Sequence, residues 1–277
     1  MKIEDFVAQH YTVGGLEAGI LAALAASGKD IDHLAPSDLA PVDEFHIGGR
    51  QATVDLAAEL GFEPGLHLLD VGSGLGGASR YFADQCHCRV TGVDLTADYI
   101  RLATTLARRV GLDDRVCYQQ ASALALPFAN GGFDGATMLH VGMNIEDKAA
   151  LFGEIRRVLK PGARFGLYEV MRENSGAALL FPLPWTSGPE TSFVATAETY
   201  RALLEQAGFA VKKIRDRRAF ALAFFDRIGV KSPATGGPPP LGVQLLMGAS
   251  GPQKIANLVA QLQLGRLAPV EIIAEAV

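Results

Sequence analysis

From residue 67 onward, short apolar runs alternate with stretches of helical period. His67-Leu68-Leu69-Asp70-Val71 predicts a buried strand, residues 76–85 a helix, and Arg89-Val90-Thr91-Gly92-Val93-Asp94 a second strand. The helix expected at 97–110 carries Ala97, Ile100, Ala103, Thr104 and Ala107 on its buried face. Further strands are expected at 116–119, 135–139, 164–169 and 209–214, with helices at 146–158 and 196–207. Lys160-Pro161-Gly162 reads as a turn and Gly208 as a helix stop. Strands alternating with helices predict an α/β fold with a parallel sheet and right-handed crossovers.

The flanks follow a different pattern. Residues 1–60 read as helical. Leu16, Ile20, Leu21 and Leu24 share one face, which Gly28 ends; a helical turn falls within 30–41, and a helix near 51–60. Beyond the sixth strand, Phe220, Leu222, Phe224, Phe225 and Ile228 predict a helix and residues 232–242 a loop with three prolines. A helix at 252–264 then precedes Val270-Glu271-Ile272-Ile273-Ala274, a seventh strand. The expected organisation is an N-terminal helical cap (1–60) and a sheet domain (61–277) with insertions near 174–196 and 218–268.

Composition narrows the partners. A chain of 277 residues, 49% hydrophobic, buries a full core in one α/β unit. Its net charge of -5, with Lys and Arg scattered, argues against a nucleic-acid partner. Cys86, Cys88 and Cys117 form no disulfide framework, which fits a reducing cytoplasm. Cys86-His87-Cys88 has no second ligand pair, so a helix-to-strand turn is expected there and no metal. The acidic start is not followed by an apolar core, so no signal peptide is expected. No apolar run has the about 20 residues a membrane span needs.

Chemistry gathers at the first strand end. Gly72, Gly74 and Gly76 strip side chains from the turn after Asp70, so a ligand can reach backbone N–H groups at a helix N-terminus. Asp94 ends the next strand, about 20 residues on, where an acid grips ribose hydroxyls. Gly72, Gly74 and Gly77 also satisfy the dinucleotide pattern G-x-G-x-x-G. Asp70 opposes that reading, because its carboxylate repels a pyrophosphate and suits a ligand bearing an ammonium and a sulfonium.

With these motifs the sequence resembles the class I S-adenosylmethionine (SAM)-dependent methyltransferases, nearest the ubiquinone-biosynthesis-like small-molecule branch. Val93-Asp94-Leu95, Leu126-Pro127-Phe128 with Phe133-Asp134, and Arg156-Arg157-Val158-Leu159-Lys160-Pro161-Gly162 extend the resemblance over residues 43–215. It implies a Rossmann-like, doubly wound seven-stranded sheet, mostly parallel, with the last strand antiparallel beside the sixth. It implies SAM as cofactor and S-adenosylhomocysteine (SAH) as product. Asp70 would meet the ammonium, Gly72, Ser73, Gly74 and Gly76 would present backbone, Asp94 would hold the ribose, and Leu95 would pack on adenine. Ser122 stands where relatives often carry an acid for the adenine amino group; its hydroxyl or the Ala123 backbone would serve instead. Leu139 completes this set.

The acceptor side is less defined. Methyl transfer depends largely on holding nucleophile and methyl in line, so a base matters only where the nucleophile carries a proton. His140, after the fourth strand, and His46, in Phe45-His46-Ile47-Gly48-Gly49-Arg50, are the candidate bases. Asn144 lies near where relatives often carry another histidine. The resemblance suggests that Tyr11 folds over the donor and that Phe181, Trp185 and Phe193 line an acceptor pocket. The 220–250 region, with Leu241, Leu245, Leu246 and Met247, extends that pocket or forms a homodimer face. The expected activity is methylation of a small, partly apolar metabolite at O, N or C. An NAD(P)-linked oxidoreductase and a SAM-binding module without transferase activity are the alternatives.

Overall fold

In the computed structural model, which describes residues 3–12, 14–173, 176–229 and 241–277, four helices precede the first strand: α1 (Ile3–Tyr11), α2 (Leu16–Ala26), α3 (Pro36–Asp43) and α4 (Arg50–Leu60). There follow β1 (His67–Val71), α5 (Gly77–Gln85), β2 (Arg89–Asp94), α6 (Ala97–Arg109), β3 (Val116–Gln120), β4 (Phe133–Leu139), α7 (Lys148–Val158) and β5 (Leu159–Arg172). The chain continues through α8 (Ala197–Gln206), β6 (Phe209–Asp216), α9 (Arg218–Arg227), α10 (Gln244–Met247), α11 (Gly251–Gln263) and β7 (Leu267–Ala276).

The strands form one seven-stranded sheet in the order β3-β2-β1-β4-β5-β7-β6. The five strands from β3 to β5 are parallel, and β7 lies antiparallel between β5 and β6. This is the expected Rossmann-like sheet. Register sets the tips side by side: Asp70 stands opposite Gly92 on one side and Thr137 on the other, and Asp94 opposite Gln120. Ligands meet open parallel sheets at this carboxyl edge.

Two local expectations need correction. Lys160-Pro161-Gly162 is not a turn ahead of the strand but a looped-out stretch inside β5. Phe133 pairs with Leu159 and Gly135 with Arg164, and Gly162 takes φ +78° to let the extra residues out. In α6 the deepest face is Tyr99, Leu102, Ala103, Leu106 and Ala107, rotated from the one expected. Its larger side chains turn toward a cluster shared with Leu16, Ile20 and Leu24 of α2 and Leu39 and Val42 of α3, so α6 packs on the cap as well as on the sheet. Burying each such Leu or Ile is worth about 1.5–3 kcal/mol. Cap and sheet are also joined by a buried ion pair, Arg80 to Asp43 at 2.5 Å, where α5 meets α3.

Helix α1 differs from its neighbours in having no buried residue. The proline loop expected at 232–242 lies, except for Leu241 and Gly242, outside the described residues. Cys86-His87-Cys88 is the turn from α5 into β2, with His87 at φ +55°. Among the described residues no helix is long and apolar enough to cross a membrane.

Candidate active site at the carboxyl edge of the sheet

Asp70, the penultimate residue of β1, keeps its side chain out of solvent. One oxygen accepts from Ser79 Oγ at 2.5 Å and the other from Thr137 Oγ1 at 3.1 Å. Burial pushes its carboxyl up to about 6, against the pull of those hydroxyls. In the turn that follows, the Gly72 and Ser73 N–H groups donate to Val93 O at 2.8 and 2.9 Å. Gly72 has φ +71°, and a Cβ there would run into Val141. The Gly74 N–H donates to Asp94 Oδ2 at 2.9 Å and the Thr96 N–H to Oδ1 at 2.8 Å, so β2's terminal acid is held by both neighbouring loops. Asp94 lines a cavity beside these loops. Burial raises the Asp94 carboxyl as well.

These residues line a cavity of about 1370 Å³, together with Leu95, Ser122, Ala123 and Leu139. Gly76 does not line it. It caps α5 at φ +83°, where a Cβ would strike the Tyr118 hydroxyl, so its role is packing. Ser73 Oγ and the Tyr99 hydroxyl line the cavity as buried polar atoms without a hydrogen-bond partner. Such orphans await a ligand or water.

Part of the cavity wall is apolar. Trp185, Phe224, Phe225, Met247, Ile255 and Leu258 line it, and the Trp185 indole N–H donates to Ser192 Oγ at 3.0 Å. Phe181 and Phe193, expected beside Trp185, do not line it. Phe181 packs into the cluster behind the wall. Phe193 is fixed by its backbone, which donates to Met143 O at 2.7 Å and accepts from Lys148 Nζ at 2.5 Å. Leu241, Leu246 and Met247 extend the wall, whereas Leu245 packs against the cap cluster.

Both candidate histidines line the cavity, with ring centroids 5.9 Å apart. His46 Nε2 lies 3.1 Å from Gly49 O and 3.1 Å from Thr53 Oγ1, and Thr53 donates to Glu44 Oε2 at 2.7 Å. A carbonyl partner fixes the proton on Nε2 and leaves the Nδ1 lone pair available, a tautomer assigned from this network. Burial lowers His46 to about 4 and raises Glu44 to about 7, where the nearby Asp43 adds to the rise. Arg50, 2.8 Å from Glu44 Oε1, holds that carboxylate from the other side. His140 sits in the left-handed region at φ +56°, stacked on Tyr168 with centroids 5.1 Å apart. Its Nε2 is buried and unpartnered, and burial holds it well below the ordinary imidazole value.

Tyr11 reaches the same space from α1, donating to Asn144 Oδ1 at 2.8 Å, while Asn144 Nδ2 donates to Trp185 O at 3.0 Å. Sequence reasoning missed the Glu44–Thr53 support and the Tyr99 hydroxyl. For Glu44 a signal was present: an acid pair, Asp43-Glu44, beside apolar Val42 and Phe45. Buried acids in an apolar run imply partners.

Comparison with known proteins agrees with this geometry. Residues 69–167 match the methyltransferase domain family. A sterol 24-C-methyltransferase of Gibberella zeae is 34% identical over 114 residues, 41% of this chain and 30% of that protein. The matches span between 30% and 67% of the length of the curated relatives. The solved geranyl diphosphate C-methyltransferase of Streptomyces coelicolor A3(2) superposes with TM-score 0.72 at 19% identity, covering 100% of this chain and 98% of that one. The [4+2]-cyclase SpnF superposes with TM-score 0.66 at 20% identity, covering 95% and 93%.

Proposed function

We propose that this chain, which carries a methyltransferase domain on the class I fold of SAM-dependent enzymes, transfers a methyl group from SAM to a small, largely apolar acceptor whose nucleophile bears a proton. The observation that carries the reading is one cavity joining an acid-tipped sheet edge to an aromatic chamber. At about 1370 Å³ it exceeds the about 300–1,000 Å³ of a single-ligand pocket, leaving room for donor and acceptor together.

The residues suit the donor. Asp70 is a buried acid for an ammonium, Asp94 offers lone pairs to a ribose, and the Ser73 and Tyr99 hydroxyls lack partners. A pyrophosphate would have to sit against both acids. Arg50 and Arg227 are the cavity-lining Lys or Arg side chains among the described residues, and neither lies in the glycine turn. That weighs against an NAD(P) enzyme. Bound here, SAM supplies a methyl carbon on a sulfonium, open to in-line attack by the acceptor.

The chain's own residues do the rest. Trp185, Phe225 and Leu258 exclude water and hold the acceptor's apolar body. Arg50 is committed to Glu44, so an anionic acceptor finds no ready partner there. A base needs an available lone pair and an orienting group. His46 has both and takes the acceptor proton at Nδ1, with Gly49 O and the Thr53–Glu44 pair fixing the ring. His140, with its orphaned Nε2, steadies the acceptor heteroatom. The described parts of the cap over 1–60 and of the segments near 174–196 and 218–268 act as walls of this site. We read the compartment as the cytoplasm, supported by cysteines that remain thiols.

The test is calorimetry with SAH and NAD⁺, followed by radiolabelled SAM and a panel of neutral hydroxylated metabolites. SAH binding with methyl incorporation is expected. NAD⁺ binding without SAH binding overturns the reading, and SAH binding without transfer to any acceptor reduces it to a SAM-binding module.

A further inference from the structure

Glu4, on α1, lines the cavity although the nearest sheet residue in sequence is more than sixty positions away. Its carboxylate accepts a hydrogen bond from Ser122 Oγ, just past the end of β3. Ser122 Oγ in turn accepts from the Leu124 N–H at 3.1 Å, so its proton is directed at Glu4. Glu4, Val7 and Tyr11 are spaced for one helical face and all line the cavity, with Tyr11 anchored to Asn144 beyond β4. Helix α1 therefore spans the cavity from the β3 tip to the β4 tip.

The tips occur in the order β3-β2-β1. If the ribose sits at Asp94 on β2 and the methionine portion at the β1 turn, the base extends toward β3. It then ends against Ala121, Ser122 and Ala123, which line the cavity there. An adenine presents its exocyclic amino group as a donor, and that donor needs an acceptor once water is displaced. A carboxylate has about four lone-pair sites, and Ser122 occupies one of them on Glu4.

We infer that Glu4 is the residue that recognises the adenine amino group, brought over the base by α1 and aimed by Ser122. The inference rests on the donor site proposed above and assigns its base specificity to the cap instead of the sheet. Ser122 acts as a positioning residue, and the cavity selects a 6-amino over a 6-oxo purine only with α1 seated. The surface position of α1 makes its variants safe for folding, since the helix has no buried residue.

The test compares SAH with S-inosylhomocysteine, in which a carbonyl replaces the amino group, by calorimetry on the full chain. The unaltered protein is expected to prefer SAH by about tenfold or more, the worth of one charge-assisted hydrogen bond. Glu4→Ala should bring the two affinities together. Glu4→Gln, whose amide can both accept and donate, should also lose the preference. If Glu4 merely anchors α1, both ligands weaken equally and the ratio survives, which overturns the inference while leaving the donor site standing. If the unaltered protein binds neither nucleoside, the donor site itself fails, and that result involves no Glu4 variant.

Discussion

The two ends of the cavity are built by different means. At the end proposed for the donor, Asp70 and Asp94 lie at the carboxyl ends of two adjacent parallel strands and Ser122 just past a third, and the backbone pairing of those strands fixes their spacing. At the end proposed for the acceptor, Tyr11, His46, Asn144, Trp185 and Phe225 come from segments that only tertiary packing brings together. Two proteins of this fold, a geranyl diphosphate C-methyltransferase and a [4+2]-cyclase, already differ in the reaction named for them.

The sharpest test of that division is His46→Ala. We expect turnover to fall by about 10²–10⁴-fold, the usual worth of a positioned base, with SAH affinity nearly unchanged. A parallel loss of SAH binding would erase the distinction between the two ends. Because burial holds His46 at about 4, it is already neutral at pH 6.5, so turnover at saturating SAM should stay level through 6.5 and fall only toward 4. An acidic limb near 6.5 that survives Glu44→Gln would assign the proton to a different group.

Next in size, Asp94→Ala should weaken SAH by about 1.5–3 kcal/mol, the worth of hydrogen bonds to a charged acceptor, without altering acceptor KM. Calorimetry checks this directly. Asp70 predicts a pH effect. Burial raises its carboxyl to about 6, so it is charged above that value and ready for an ammonium. SAH affinity should be level above pH 7 and drop by up to about tenfold per pH unit below 6, a slope that Asp70→Asn should abolish. The smallest effect belongs to Trp185→Phe, which removes the indole bond to Ser192 and part of the wall. Acceptor KM should rise about three- to tenfold, the worth of one neutral hydrogen bond, with SAH affinity unchanged.

The end proposed for the donor is legible in the sequence because strand period, glycine turn and terminal acid occupy consecutive positions. Asp70, Gly72 and Asp94 stand in the structure where their spacing put them. Gly76 was misjudged because a glycine needed for close helix packing looks, in sequence, like one needed for a ligand. Phe181 and Phe193 were misjudged for a related reason. An aromatic beside a pocket and one inside it share the same pattern, and only backbone contacts such as Phe193 to Met143 decide between them. The Glu44–Thr53–His46 arrangement spans a loop and a helix, and no periodicity encodes it.

The placement of β7 has a consequence for how the molecule is made. β6 is synthesised before β7 yet pairs only with it, so β6 has no neighbour in the sheet until β7 threads in beside β5. During translation the β5 edge waits uncovered, and an open strand edge invites pairing with another nascent chain. Slow synthesis through residues 217–266, or substitutions that delay β7, should therefore lower the yield of folded protein even where the finished sheet is unchanged.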